Sequence, residues 1–266
     1  MTHGEKFVPR FRYDSRTIVL SGLIALFLIT AACSGSPSAT PTPAPEPLDL
    51  VTEAAQNIRS AEAFRMLVDL TGPPYAILTD FGEVNFRRAN AQYAAPGVMQ
   101  AAISVTALGG VRVDVEVFAR GTDQWFRAPL WTANQWLHAS FAPGFDPEAL
   151  IAEGTGFQAA VEAVRELNYR GEVTLENGQR VHHIHGRADG EGVNALLIGL
   201  IEVEGEIEVD VYIDTTTRFP ARFVLVEPAA EREEPRTWTL DISAINEPAR
   251  IDDPEATAEP AAAATP

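Results

Sequence analysis

The sequence predicts an α+β fold: a long antiparallel meander of strands with a few short helices set apart from it. Three observations carry this expectation. Val111, Val113, Val115 and Val117 alternate with Arg112, Asp114 and Glu116, and Ile207, Val209, Val211 and Ile213 alternate with Glu206, Glu208 and Asp210. A period of two with one apolar face is the pattern of an antiparallel strand that is buried on one side and wet on the other. Asn177-Gly178 sits between two strand-like runs, and Asn-Gly accepts the positive φ angles of a type I′ hairpin turn. Two other segments show helical spacing instead: Leu50, Ala54, Ala55 and Ile58 within residues 49–61, and Phe157, Ala160, Val161 and Val164 within residues 157–167.

The chain begins with a basic stretch, Lys6, Arg10, Arg12 and Arg16, followed by an apolar run over residues 18–32 that ends Ala31-Ala32-Cys33. About 20 apolar residues are needed to span a bilayer, so this run is short for an anchor and suits the apolar core of a signal peptide. Small residues before the only cysteine resemble the bacterial lipobox, where the signal peptide (1–32) is removed and Cys33 becomes an acylated N-terminus. Two or more acyl chains on Cys33 give stable tethering where one gives only marginal binding. Residues 33–47 contain Pro37, Pro41, Pro43, Pro45 and Pro47 among Ser, Thr and Ala. Such a stretch cannot bury a core and favours extended conformations; at ~3.1 Å per residue it would hold a domain some ~40 Å from the membrane.

The body spans residues 48–251. After the opening helix, Phe64, Met66, Val68 and Leu70 share one strand face, and Gly72-Pro73-Pro74 ends that strand. Further strands are expected at 82–87, 89–94, 98–108, 111–119, 125–127 and 136–138. Asp146-Pro147 sets up a helix start, with a short helix at 148–153 ahead of the one at 157–167. Strands resume at 169–175 and 179–186. Leu196, Leu197 and Leu200 mark residues 193–201 as a short apolar helix and a candidate movable lid. Strands at 206–214, 220–227 and 236–245 finish the body, and the Pro-, Ala- and Glu-rich residues 252–266 read as a disordered acidic tail.

Composition narrows the function. The whole chain carries a net charge of −17, and residues 1–32 hold more basic than acidic groups, so the body is more acidic still. Such a surface repels phosphate backbones, which argues against nucleic acid as a partner. An acylated Cys33 leaves no thiol for disulfides, redox work or a thiolate metal site. No nucleophile elbow, phosphate-binding loop or His-Glu-x-x-His motif occurs, so neither catalytic residues nor a cofactor are expected. His183 and His185 would share a strand face, and two imidazoles can chelate zinc, but no third ligand stands at a suitable spacing and no metal site is expected. The alternating Glu202, Glu204, Glu206, Glu208 and Asp210 read as a solvated strand face. Trp125, Trp131 and Trp136 read as core or edge-strand aromatics, with stacking on sugar rings of a lipoglycan as the alternative.

The order of elements, together with three local motifs, resembles the LppX/LprAFG lipoproteins. The motifs are Val211-Tyr212-Ile213-Asp214-Thr215-Thr216-Thr217-Arg218-Phe219-Pro220, the ending Ile242-Ser243-Ala244-Ile245-Asn246-Glu247-Pro248 with Ile251, and the hairpin from Tyr169-Arg170-Gly171-Glu172 through Ile184-His185-Gly186. The likeness spans nearly all of residues 48–254. It implies a LolA-like curved antiparallel half-barrel with short helices on its concave side. It also implies an apolar cavity there for the acyl chains of a lipid or glycolipid cargo, carried or presented in the cell envelope. The residues expected to line that cavity are Phe64, Met66, Val68, Val113, Val115, Phe157, Val161, Val164, Leu196, Leu197, Leu200, Val209 and Val211. The protein would sit on the extracytoplasmic side of the cell membrane, held by Cys33. The alternative is an envelope protein-interaction or sensor module on the same fold, with a protein partner and no lipid transfer.

Overall fold

The computed structural model describes residues 44–79, 82–197, 201–229 and 234–255; Cys33, Leu200 and the tail beyond Glu255 lie outside the described residues. Helix α1 (Pro47–Arg59) precedes β1 (Ala63–Thr71), β2 (Tyr75–Thr79), β3 (Gly82–Ala94), β4 (Val98–Ala107), β5 (Val111–Arg120), β6 (Asp123–Arg127), the one-turn α2 (Pro129–Thr132) and the short β7 (Leu137–His138). A 3-10 turn at Pro147–Leu150 and helix α3 (Gly156–Ala163) lead into β8 (Arg165–Thr174) and β9 (Arg180–Asp189). Helix α4 (Gly190–Val193) runs into a 3-10 turn at Asn194–Leu197, and β10 (Glu206–Asp214), β11 (Pro220–Glu227) and β12 (Arg236–Ser243) complete the chain.

All twelve strands form one antiparallel sheet in the order β7-β6-β5-β4-β3-β1-β12-β11-β10-β9-β8, with β2 on β3. Each half is a meander of hairpins, and the first and last strands join the halves. Met66 and Val68 of β1 face Ile242 and Leu240 of β12 on one side, and Ala91 and Ala89 of β3 on the other. β2 continues β1 along the same flank of β3 after the break at Gly72-Pro73-Pro74, pairing Tyr75 with Phe86 and Thr79 with Gly82. The sheet is open, because among the described residues β7 and β8 pair on one side only.

A single bulge explains the weakest part of the strand pattern. β3 pairs Phe86 with Val105 but Arg88 with Ser104, so one extra residue enters β3. An inserted residue shifts a strand's side-chain alternation by one. Val84 and Phe86 are buried before the bulge, and Ala89, Ala91 and Tyr93 after it. The sequence reads this as two strands; the structure makes it one.

The apolar side chains of every long strand converge on one face. The set runs from Val105 and Val113 through Tyr93, Met66, Leu240, Phe223 and Val211 to Ile184, and all belong to a single buried cluster. Helix α1 presses Leu50, Val51, Ala54, Ala55 and Ile58 into that cluster. Thirteen residues make a helix that is marginal alone in water, so docking of this stripe keeps it folded. It touches α3 and the strands β8, β10 and β11, which lie together at one end of the sheet, so it covers that end. Two glycines let the remaining helices come close. A Cβ on Gly186 of β9 would lie 2.5 Å from Val164, and one on Gly192 of α4 would lie 2.3 Å from the Cβ of Ala163.

Several expected elements change length. The helix expected at 157–167 stops at Ala163, and Arg165 already begins β8, with Glu166 at φ 56° in the bulge that follows. The helix expected at 148–153 is the 3-10 turn Pro147–Leu150, capped by Asp146, which accepts from the Glu148 amide at 2.9 Å. The tail is held at its start. The Asp252 amide donates to Gln100 Oε1 at 2.7 Å, Gln92 exchanges two bonds with the backbone of Arg250, and Arg120 pairs with Asp253 and Glu255 on the convex face.

Two of the three sequence motifs are turn clamps, and the third lies in the paired strands β8 and β9. Asp214 accepts from the Thr216 and Thr217 amides at 2.9 and 2.7 Å, closing the β10–β11 turn. Burial pushes its carboxyl pKa up, but the bonds from Thr217, Gln179 and Thr216 outweigh that and hold it below the usual carboxylate range. Asn246 accepts from the Glu62 amide and donates its own amide to Ala63, both at 2.8 Å, tying the chain end to the start of β1.

Candidate functional site

The concave face is filled at one end and open at the other. Over β8 to β12 helices α1 and α3 cover it. Phe157 of α3 lies edge-on to Phe64 with ring centres 5.9 Å apart and tilts against Phe223 at 5.9 Å, while Phe64 stacks on Tyr93 at 4.9 Å. Burial raises the Tyr93 hydroxyl's pKa. Leu196 and Leu197 are 0 % exposed, wedged into the cluster rather than standing free of it.

Over β2 to β6 the one-turn α2, which touches β5, is the helix in place among the described residues. There the chain between β6 and the 3-10 turn, residues 128–145, arches back across the sheet and leaves an apolar cleft of about 410 Å³. Ligand pockets for small molecules run about 300–1,000 Å³, so this one has the capacity for a single apolar chain. The sheet supplies Ile77, Leu78 and Thr79 from β2, Val84 from β3, Ile103 and Val105 from β4, Val115 from β5 and Phe126 from β6. The covering segment supplies Trp131, Leu137, Ala139, Ser140, Phe141 and Pro143. Among the described residues no charged side chain lines it, and Thr79 and Ser140 are the polar ones. Leu78, at 85 % exposed, and Leu137, at 44 %, stand at its mouth.

The covering segment is held at three places. Arg127 donates to Glu116 at 3.0 Å and lies 4.5 Å beneath the ring of Trp136. His138 stacks on Trp125 at 4.6 Å, and Trp125 in turn packs on Phe118 on the convex side. Gln124 of β6, 3 % exposed, reaches into the loop after β7. Its amide nitrogen donates to the carbonyls of Ala142 (2.7 Å) and Phe145 (3.2 Å), and its oxygen accepts from the amides of Phe141 and Ala142, both at 2.9 Å.

Of the residues expected to line a cavity, Val115 lines this cleft. Val113 points to the same face next to it and is buried. Phe64, Met66, Val68, Phe157, Val161, Val164, Leu196, Leu197, Val209 and Val211 sit in the packed cluster under the helices, and Leu200 lies outside the described residues. The sequence reading passed over Ile77 and Leu78, because Tyr75–Thr79 follows a Gly-Pro-Pro break and shows no clear alternation. It also passed over Gln124 and the loop at 139–143, where no periodic signal exists.

The histidines divide between the two faces of β9. His182 is buried, with Tyr169 Oη 3.0 Å from Nδ1 and Arg218 at Nε2. A guanidinium only donates, so Nε2 accepts and the ring is the neutral Nδ1–H tautomer. Burial first, and then the Arg218 charge, lower its pKa. On the convex face one oxygen of Asp210 meets His183 Nε2 at 2.7 Å and His185 Nδ1 at 3.0 Å. The alternation of residues 202–210 predicts a solvated face for Asp210; here its side chain is 23% exposed and shared by two imidazoles. Among the described residues no group of three or more such side chains has the geometry to hold a metal ion.

The comparisons with known proteins agree with this architecture. The model of the LppX_LprAFG lipoproteins matches residues 46–251. Among solved structures, LprF from Mycobacterium bovis superposes with a TM-score of 0.56 at 14% identity, covering 80% of this chain and 99% of that one. Lipoprotein LppX from Mycobacterium tuberculosis gives 0.51 at 16% identity, covering 77% of this chain and 97% of that one. No curated protein matches by sequence. At these identities the structures speak for the fold, a curved open antiparallel sheet with short helices on one face, and the family model speaks for descent: the chain belongs to the LppX_LprAFG lipoprotein family.

Proposed function

We propose that this protein is a membrane-tethered lipoprotein that binds a lipid acyl chain in the cleft between β2–β6 and residues 128–145, and so carries or presents lipid or glycolipid in the cell envelope. The observation that carries the reading is the cleft itself: about 410 Å³ of space that, among the described residues, apolar side chains line, continuous with the apolar face of the sheet. A monomeric domain fills such a space with its own side chains, as it does under α1 and α3, unless an apolar ligand is to occupy it. Burying an acyl chain there gains roughly 25 cal/mol per Å² of apolar surface, the same driving force that packs the core. No bond is made or broken. Specificity for the head group would fall to the rim, where Thr79 and Ser140 are the polar side chains; their hydroxyls already donate, to the Gly82 carbonyl and to Gln124 Oε1.

In this reading Cys33 carries the lipid anchor on the extracytoplasmic side, residues 33–47 are the tether, and Val115 belongs to the lipid site. The test is binding of a dansyl-labelled fatty acid, followed by its fluorescence. Val115 is partly exposed into the cleft, so Val115→Trp fills the space with little cost to the fold. The wild-type chain should bind the probe and Val115→Trp should lose at least tenfold in affinity. Equal affinity in the two proteins would remove the cleft as the site.

A further inference from the structure

Residue 124 stands where the cover meets the sheet. Trp125 and Phe126, which follow it in β6, turn apolar groups outward and inward, but Gln124 buries an amide and uses all of it. Both N–H groups donate to carbonyls of the loop, at Ala142 and Phe145, and Oε1 accepts the amides of Phe141 and Ala142 with the Ser140 hydroxyl at 3.3 Å. Its own backbone carbonyl takes the Ala139 amide at 3.1 Å. One residue therefore gathers the hydrogen bonds that tie residues 139–145 to β6. Four members of that loop, Ala139, Ser140, Phe141 and Pro143, are the outer wall of the cleft.

We infer that Gln124 is the latch of a gate: residues 139–145 swing away from β6 as a unit to admit and release the apolar ligand, and Gln124 sets how often they do. This inference rests on the reading of the cleft as an acyl site. A buried polar group left without partners is costly, and a half-satisfied network is worse than either extreme. Lifting one end of the loop would strand the remaining Gln124 bonds in an apolar setting. The bonds consequently break together, with water entering to replace them, and the loop has two states rather than a continuum. The side chain is a positioning residue. It does not touch the ligand space, and it acts through the wall.

The experiment uses the full chain and two readouts, backbone hydrogen exchange and the dissociation rate of the dansyl-labelled fatty acid. Gln124→Leu keeps the bulk and removes every side-chain bond; exchange at Phe141 and Ala142 should quicken at least tenfold, and probe dissociation should quicken by a similar factor. Gln124→Glu keeps the acceptor for the two amides but loses the donors, and should fall between wild type and Gln124→Leu in both readouts. In the wild-type chain, saturating probe should slow exchange across residues 141–145, a result that needs no variant to fold. Faster exchange with unchanged probe dissociation would overturn the gate while leaving the cleft as the binding site. Wild-type exchange at residues 141–145 that is indifferent to bound probe would overturn it equally. A wild-type chain that binds no probe removes the acyl site itself and the gate with it, whereas the exchange result for Gln124→Leu still reports whether the loop was latched.

Discussion

Ile103 and Val115 stand directly opposite one another on β4 and β5, and both turn into the open cleft rather than against a helix. At the closed end of the same face, Leu197 meets packed side chains instead, and is 0 % exposed. The contrast makes truncation a probe of packing. Removing methyl groups from a filled core leaves a new void, while removing them from the wall of an existing space adds only a little to it. Leu197→Ala should lose about 4 kcal/mol and Ile103→Ala about 2 kcal/mol, read from urea denaturation at neutral pH. Equal losses would mean that the two ends are packed alike.

Phe157 is a second test of where the core ends. Its ring touches Phe64 and Phe223 and joins α3 to both halves of the sheet. Phe157→Ala should cost about 3–5 kcal/mol while the folded fraction keeps its affinity for a dansyl-labelled fatty acid. A loss below about 1 kcal/mol accompanied by weaker probe binding would place Phe157 in a ligand cavity rather than in the core.

The approach of α4 to α3 depends on the missing side chain of Gly192. Gly192→Ala sets two methyl carbons 2.3 Å apart, so one helix must move. Overpacking of this kind costs about 1–3 kcal/mol, and the thermal midpoint of unfolding should fall accordingly. An unchanged midpoint would show that the helices are not held at this distance.

His182 predicts the direction of a pH effect. Its pKa is lowered in the folded protein by burial and by Arg218, whereas an exposed histidine titrates near ~6.5. Below that value the unfolded chain binds a proton that the folded one resists, so the histidine's contribution to stability is complete above it and is lost as pH falls through the folded pKa. The urea midpoint should therefore decline as pH drops from 7 towards 5, and His182→Asn should flatten that decline. Asp214, also lowered, acts in the same direction but in the more acidic window below ~3.9. A midpoint that rises on acidification between pH 7 and 5 would contradict the neutral tautomer assigned to His182.

How much of this was legible in the sequence follows from what each signal measures. Strands such as Glu206–Asp214 were plain, because alternation records one buried face, and the Asp214 and Asn246 clamps were visible as motifs because turns demand particular residues. The pairing of β1 with β12 was not visible, since residues as distant as Met66 and Ile242 leave no local trace of each other. The bulge in β3 hid one strand as two. The cleft itself was hidden for a different reason: an apolar residue on the concave face has the same pattern whether a helix covers it or not. Val115 and Val209 read alike, yet Val115 faces space and Val209 is packed. Gln124 carried no periodic signal at all. Its role depends on a loop that returns to it some fifteen residues later.

The most direct measurement is native mass spectrometry of the full chain, with organic extraction of whatever it holds non-covalently. A hydrophobic, non-covalent, extractable mass near one per chain is expected, lost or much reduced in Val115→Trp. An empty chain that also fails to take up a dansyl-labelled fatty acid would contradict it, and the space between β2–β6 and residues 128–145 would then need another occupant.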